Sequence, residues 1–239
     1  MALLAWRTGK VLKIENETAN TRRFWIAVPE LECFDFIPGQ FITLDLPIHK
    51  KPHKRLRSYS IASCPDGSNI FELLIVLDSK GTGTPYLFEK IAVGSQLIFR
   101  GPQGVFTIKQ PIETDLFLIC TGTGIAPFRS MVKHIAIKNI AHKDIYLVFG
   151  CRTRADLLYY NEMTDLQKTL EGFHYLPTLS RENWEGRTGY VHSVYETLCT
   201  EKKQAVFYLC GWKNMIDEAR AGLLSLGYDE KHIHTEIYG

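Results

Sequence analysis

The sequence predicts two domains in tandem: a small antiparallel β-barrel over residues 1–109 and a parallel-sheet α/β domain over residues 110–239. Three observations lead there. Up to about residue 109 the apolar residues fall in short, roughly alternating runs rich in β-branched and aromatic side chains, broken by Pro-Gly, Asp-Gly and Gly-Pro. After GPQGVFT the runs become continuously apolar, as strands buried on both faces require. Those runs then alternate with helical stretches of about 10 to 15 residues, the pattern of βαβ units on one sheet.

Each element follows from its own pattern. In the first domain GKVLKIENET, TRRFWIAV, QFITLDLP, RSYSIAS, FELLIVLD and SQLIFRG read as strands, and TPYLFEKI as a short helix. In the second, the strands are DLFLICT, DIYLVFG, FHYLPTLS, AVFYLCG and a final HIHTEIY. The helices between them are APFRSMVKHIAIK, DLLYYNEMTDLQKTL, VHSVYETLC and MIDEARAGLLSL. GPQGVF, at the junction, reads as structural.

Composition narrows the function classes. The chain has 239 residues, 45% hydrophobic and 23% charged, ordinary for a soluble globular protein with its own core. A net charge of +2 does not point to nucleic acid or an anionic membrane. It is unevenly spread: residues 1–109 carry 14 Lys/Arg against 10 Asp/Glu, and the remainder 14 against 16. That asymmetry suits an acidic partner for the first domain. The six cysteines (33, 64, 120, 151, 199 and 210) are scattered, with no CxxC and no metal-ligand spacing. Reduced thiols in a cytoplasmic protein are expected, with no metal site. MALLAW is too short for a signal-peptide core, and no stretch is long enough to span a bilayer.

Three stretches carry chemistry. CTGTGIAPFRS (residues 120–130) joins the first parallel strand to the helix after it, where ligands bind in open α/β sheets. Gly122 and Gly124 allow close backbone approach, and a helix N-terminus offers N–H groups to an anion. The third glycine of G-x-G-x-x-G is missing, which argues against the ordinary dinucleotide fingerprint. RLRSYSIAS (residues 55–63) places Arg57 and Tyr59 on one strand face and Ser58 and Ser60 on the other. An arginine fork suits a phosphate, and a tyrosine ring suits a flat ligand. HTEIYG (residues 234–239) puts a carboxylate, Glu236, and a ring, Tyr238, beside the last residue. Its plain alternative is an edge strand.

R-x-Y-S, G-T-G-T-P-Y-L, G-P-x-G-x-F, T-G-T-G-I-A-P, a late C-G and a terminal E-x-Y occur here in that order. Together they resemble the ferredoxin–NADP reductase family over essentially the whole chain. The resemblance implies a barrel that binds FAD and an α/β domain that binds NADP. Arg57 would neutralise the FAD pyrophosphate, beside Ser58. Tyr59 would pack on one flavin face, and Ser60 would hydrogen-bond near flavin N5. Gly81, Thr82, Gly83 and Thr84 would offer backbone N–H groups and a hydroxyl to the same pyrophosphate. Thr121, Gly122, Thr123 and Gly124 would hold the nicotinamide dinucleotide's pyrophosphate. Ser180, Arg181 and Tyr190 resemble the family's set for the 2′-phosphate and adenine, and Arg152 and Arg187 would add charge. No acidic residue stands at the end of the second parallel strand, so NADP(H) is expected rather than NAD(H). Cys210 and Gly211 would orient the nicotinamide ring. Glu236 resembles the carboxylate near that ring, and Tyr238 the terminal ring of the plant-type branch, which covers the second flavin face. Gly239 departs from that pattern by following the ring.

The expected activity is hydride transfer between NADP(H) and flavin N5, coupled to one-electron exchange with a carrier. With no cysteine cluster in the chain, the carrier is expected to be a separate acidic ferredoxin or flavodoxin. The basic loop Lys50, Lys51, Lys54 and Arg55 would dock it. An NAD(P)H-dependent flavin, quinone or ferric reductase, or the flavin subunit of a larger electron-transfer complex, are the alternatives on the same scaffold.

Overall fold

The computed structural model describes residues 5–201 and 204–238. The chain divides into two compact units. One is built on the residues up to Ile108 together with Arg129–His134, the other on Lys109–Phe128 and the residues from Ile135 onward.

The first unit holds six strands: β1 (Trp6–Thr18), β2 (Thr21–Ala27), β3 (Phe41–Asp45), β4 (Leu56–Ser60), β5 (Ile70–Val76) and β6 (Gln96–Gln103). Every pairing is antiparallel, in the spatial order β4-β3-β6-β1-β2-β5. The two outer strands meet at a single bridge, Ile61 to Leu73, so the sheet curls into a barrel. Inward residues alternate along each strand, and Phe24, Ile26, Ile42, Phe71 and Phe99 are fully buried. Helix α1 (Gly83–Lys90) adds Leu87 to that core. Each such side chain contributes about 1.5–3 kcal/mol of burial.

A buried ionic cluster ties the same unit together. Glu72 on β5, 2% exposed, takes Arg23 in a fork at 2.7 and 3.1 Å and Arg129 at 3.1 Å. Arg129, 4% exposed, also donates to the Ala62 carbonyl at 2.7 Å. Ser130 donates to the Ser63 carbonyl, and the Ser63 hydroxyl accepts from the Glu72 N–H. Burial on this scale is tolerated only because each charge is paired and hydrogen-bonded.

The second unit is a six-stranded, wholly parallel sheet in the order β10-β9-β8-β7-β11-β12. Its strands are β7 (Asp115–Thr121), β8 (Ile145–Cys151), β9 (Phe173–Leu179), β10 (Arg187–Thr188), β11 (Ala205–Trp212) and β12 (Ile233–Tyr238). The helices are α2 (Ile125–Lys138), α3 (Tyr160–Thr169), α4 (Val191–Leu198) and α5 (Lys213–Ser225). The latter two cover one sheet face through Val191, Tyr195, Ile216 and Leu223, packed on Phe117, Val148 and Phe207. Four rings stand in register across that face: Phe207, Phe117, Tyr146 and His174, with neighbouring centroids 4.7–5.0 Å apart.

Two local readings differ from the sequence expectation. Helix α3 starts at Tyr160, because Thr153 and Asp156 form a capping box that turns residues 154–156 into a separate short 3-10 turn. Tyr159, in the left-handed region at φ 52°, then redirects the chain. The two-residue strand β10 is too short to leave a periodic signal. No helix among the described residues is long and apolar enough to cross a membrane.

Candidate functional site

On the barrel, the register of β3 with β4 sets the side-chain faces. Leu44 lies opposite Arg57 and Ile42 opposite Tyr59, while Thr43 faces Ser58 and Phe41 faces Ser60. Arg57 and Tyr59 thus share one side of the strand. Tyr59 packs against the core cluster, and burial pushes its phenol up to about 12, opposed by the nearby Arg57 charge. Ser58 is exposed and shares a hydrogen bond with Thr43 at 3.0 Å, whereas Ser60 is buried.

The Arg57 side chain is anchored at its guanidinium end. Its Nη1 donates to the carbonyls of Lys54 and Leu56 at 3.1 and 2.8 Å, and its Nη2 reaches the Thr82 hydroxyl at 3.4 Å. A Cβ at Gly83 would lie 2.9 Å from Arg57 Nε, so glycine lets the guanidinium cross the start of α1. That helix begins without a side-chain cap and without an acidic residue in its first turn. A guanidinium and an uncapped helix start therefore meet in one place, a ready cradle for a phosphate.

Asp78 organises the loop before the cradle, a role the sequence reading missed. Its carboxylate accepts from the Lys80 N–H at 3.0 Å, and its carbonyl from the Gly81 N–H at 3.1 Å. The Thr84 hydroxyl accepts from the Asp78 N–H at 2.8 Å and donates to the Asp78 carbonyl at 3.2 Å. Thr84 thus spends its hydroxyl on the loop. The signal was the D-S-K-G tetrapeptide, whose leading Asp favours such turns.

GPQGVF ends β6 and packs locally. A Cβ at Gly39 would sit 1.9 Å from the Phe106 carbonyl oxygen, and Phe106 is buried. In the basic loop, Lys50, Lys51 and Lys54 are exposed. Arg55 instead grips Asp45 through Nε at 2.6 Å and Nη2 at 2.9 Å, so its charge is matched within the barrel.

In the second unit, Thr121 closes β7 and Gly122–Gly124 form a 3-10 turn into α2. Gly122 sits at φ +53° facing open space. A Cβ at Gly124 would lie 2.4 Å from the Cys210 carbonyl oxygen, and one at Gly211 2.6 Å from Thr121 Oγ1. Glycine is therefore needed both in the turn after β7 and on β11 for the turn to seat. Helix α2 starts with no side-chain cap and no acidic residue in its first turn. The Thr121 hydroxyl is buried without a hydrogen-bond partner among the described residues. A buried hydroxyl of this kind, beside a helix start with no side-chain cap, fits an anionic ligand.

The ends of β8 and β9 hold the arginines. Arg181 N–H donates to the Arg152 carbonyl at 2.9 Å, and Ser180 donates to the Cys151 carbonyl through both N–H and hydroxyl. Arg187 opens β10, level with Thr178. Arg152, Arg181 and Arg187 are exposed, and no ion pair holds any of them among the described residues. The two nearby carboxylates are engaged with Arg154: Glu182 with its N–H at 2.8 Å and Glu185 with its side chain at 3.0 Å. Asp156 is taken by Thr153. The Tyr190 ring is 72% exposed, so a flat face stands open close to those charges.

At the far edge, β11 pairs with β12 so that Cys210 faces Glu236 and Trp212 faces Tyr238. Cys210 is fully buried. Burial raises its thiol well above the usual range, Glu236 adds to the rise, and a hydrogen bond from Tyr238 opposes it. Cys210 is thus a neutral, buried thiol, not a thiolate nucleophile. Gly239 lies outside the described residues.

Comparison with known proteins agrees with this division. Residues 8–108 match an oxidoreductase FAD-binding domain, and residues 118–221 an oxidoreductase NAD-binding domain. The chain is 33% identical over 216 residues to a protein named ferredoxin–NADP reductase B of Sorangium cellulosum, covering 87% of each. It is 32% identical over 214 residues to the anthranilate 1,2-dioxygenase electron transfer component of Acinetobacter baylyi, covering 89% of this chain and 61% of that protein. Its fold superposes on an Amycolatopsis cytochrome P450 reductase with a TM-score of 0.87 at 24% identity, over 99% of this chain and 71% of the other. A Neisseria gonorrhoeae ferredoxin NADP+ reductase with bound FAD and NADP gives 0.81 at 23% identity, over 97% and 98%.

Proposed function

Because this chain belongs to the ferredoxin–NADP reductase family and is a flavoprotein oxidoreductase, we propose that it moves electrons between NADP(H) and a one-electron carrier protein. The carrying observation is the presence of two separate anion cradles, each an uncapped helix start beside glycine. One suits the FAD pyrophosphate and the other the nicotinamide dinucleotide. FAD, when bound, accepts a hydride and passes electrons on singly. The chain's own residues bind, orient and exclude water.

On the barrel, Arg57 supplies the fixed positive charge, with backbone N–H groups from Thr82, Gly83 and Thr84; the Gly81 N–H is held by the Asp78 carbonyl and shapes the loop. Tyr59 offers its neutral ring, and Ser58 and Ser60 offer hydroxyls along the same strand. In the second unit Thr121–Gly124 receive a pyrophosphate, and Cys210 with Gly211 set the position of the nicotinamide ring. Glu236 contributes a carboxylate at that end, and the Tyr238 ring competes with nicotinamide for one place. Arg152, Arg181 and Arg187, with Ser180 and Tyr190, select the 2′-phosphate, which supports NADP(H) over NAD(H). These assignments divide the chain into an FAD-binding part, residues 1–109, and an NADP-binding part, residues 110–239.

The carrier we propose is an acidic ferredoxin or flavodoxin, guided by Lys50, Lys51 and Lys54. The setting we propose is the cytoplasm, whose reducing poise keeps free thiols such as the six present here. A second reading is the reductase part of an oxygenase system, supported by the names of several relatives. The chain spans 61% of the length of the Acinetobacter relative, so that relative's activity is not transferred whole.

The deciding experiment is anaerobic reduction of the FAD-loaded protein with NADPH and with NADH, followed by addition of ferredoxin, flavodoxin or an oxygenase component. Flavin bleaching by NADPH and onward reduction of an acidic carrier supports the first reading. Transfer to the oxygenase component alone favours the second. A purified protein that retains no flavin and binds none overturns both.

A further inference from the structure

The amino edge of the parallel sheet, at the opposite end of its strands from Gly122–Gly124, contains a cavity of about 150 Å³. Its floor is apolar, formed by residues such as Leu116 and Val206 at the starts of β7 and β11. Its polar lining is mostly basic: Lys109, Lys231, His232 and His234 against Glu113, with Thr114. We propose that this cavity binds a small tetrahedral oxyanion of the phosphate type, at a site distinct from the coenzyme cradle.

The charge balance is the first argument. Lys231 is matched by Asp229 at 2.8 Å, and Glu113 is the lining's own carboxylate. Lys109 has no ion pair among the described residues. With the His234 imidazole protonated, the lining is short of negative charge.

Rigidity is the second. His234 lies against the buried Tyr208 ring, centroids 4.7 Å apart at 33°, so its imidazole has a fixed place at the cavity. Tyr208 in turn hydrogen-bonds to the Lys109 backbone, which ties the segment carrying Lys109 to the same wall. Burial, then Lys109, then His232 hold the His234 imidazole below the usual histidine range. A bound anion offsets both cationic neighbours and returns proton affinity to His234.

Size and chemistry choose the ligand class. About 150 Å³ far exceeds the roughly 10–15 Å³ that one water needs, so the cavity has room for a tetrahedral oxyanion and bridging water. Lysine and imidazolium donors with a threonine hydroxyl suit compact, multiply charged oxygen groups.

The linkage has a definite sign. Anion binding and His234 protonation favour one another, so affinity rises as pH falls through the His234 titration. Sulfate is a useful probe because its charge is constant across that range.

The test uses the full FAD-loaded chain and follows the His234 imidazole by NMR from about pH 5 to about pH 9, in chloride, in sulfate and in phosphate at equal ionic strength. The expected result is a His234 pKa raised by about one unit in sulfate and phosphate relative to chloride, with His49 and His53 unmoved. A small phosphomonoester in a fourth arm distinguishes an ester ligand from free phosphate by its tighter binding. In Lys109→Gln/His232→Asn the rise should vanish, and in Arg181→Gln, at the coenzyme end, it should persist. A His234 titration equal in chloride and sulfate overturns the site. So does a rise that survives the double variant. None of these readouts depends on electron transfer, so they stand or fall separately from the activity.

Discussion

Gly124 stands where no side chain fits: a Cβ there would approach the Cys210 carbonyl oxygen to 2.4 Å. The glycine turn of β7 and the C-G step of β11 are thus one packed unit, although they lie far apart in sequence. Gly124→Ala must push backbone against backbone, whereas Gly122→Ala meets open space and only the strain of φ +53°. Gly124→Ala should weaken NADP+ binding by about 100-fold or more, and Gly122→Ala by only about 5- to 30-fold, at about 1–2 kcal/mol for a left-handed alanine. Difference-spectral titration with NADP+ ranks the two. Equal effects would mean the Cys210 contact is unimportant.

Arg57 sits across the start of α1, so its charge should be worth a charge-assisted hydrogen bond to the FAD pyrophosphate. Arg57→Gln should raise the Kd for FAD by about 10- to 100-fold, from about 1.5–3 kcal/mol. Arg57→Lys should recover part of that, because it restores charge without the fork. Fluorescence titration of apoprotein with FAD measures both.

The arginines at the ends of β8 and β9 predict coenzyme choice. Arg152→Gln/Arg181→Gln should lower kcat/KM for NADPH by about 30-fold or more and leave NADH within about twofold, since only the 2′-phosphate contacts are lost. The penalty should shrink at high salt. A parallel loss with NADH would move these residues out of the selectivity site.

Tyr238 hydrogen-bonds to Cys210, beside the place proposed for the nicotinamide. Removing its ring by Tyr238→Ala should tighten NADP+ binding by about tenfold and relax discrimination against NADH, because a competitor for the nicotinamide place is gone. Unchanged binding and unchanged preference would return the last strand to a purely structural role.

Glu72 is the centre of the buried cluster in the barrel unit, facing both Arg23 and Arg129. Glu72→Leu leaves the 4% exposed Arg129 without its carboxylate and should cost about 3–5 kcal/mol. Arg129→Met leaves Glu72 with Arg23 and should cost less. Urea unfolding followed by tryptophan fluorescence gives both values, and the order is the critical result.

The alternation of strand and helix, the antiparallel and parallel halves and the position of the T-G-T-G turn were legible in the sequence. Each rests on local periodicity or on a residue type tied to one backbone requirement. The face shared by Arg57 and Tyr59 was legible for the same reason, because strand pleating has period two. Other features depend on what folding brings near, which no local pattern carries. Arg55 reads as one more cation of the basic loop, but it is spent on Asp45 of the neighbouring strand. Thr84 reads as a hydroxyl for phosphate, but Asp78 occupies it. Helix α3 lost its expected first turn to the Thr153 capping box. The need for glycine at 124 comes from Cys210, and the cavity beneath the sheet comes from residues 109–114 meeting 231–234. Periodicity is encoded along the chain, whereas charge pairing, close backbone approach and cavities are set by partners that only the tertiary fold supplies.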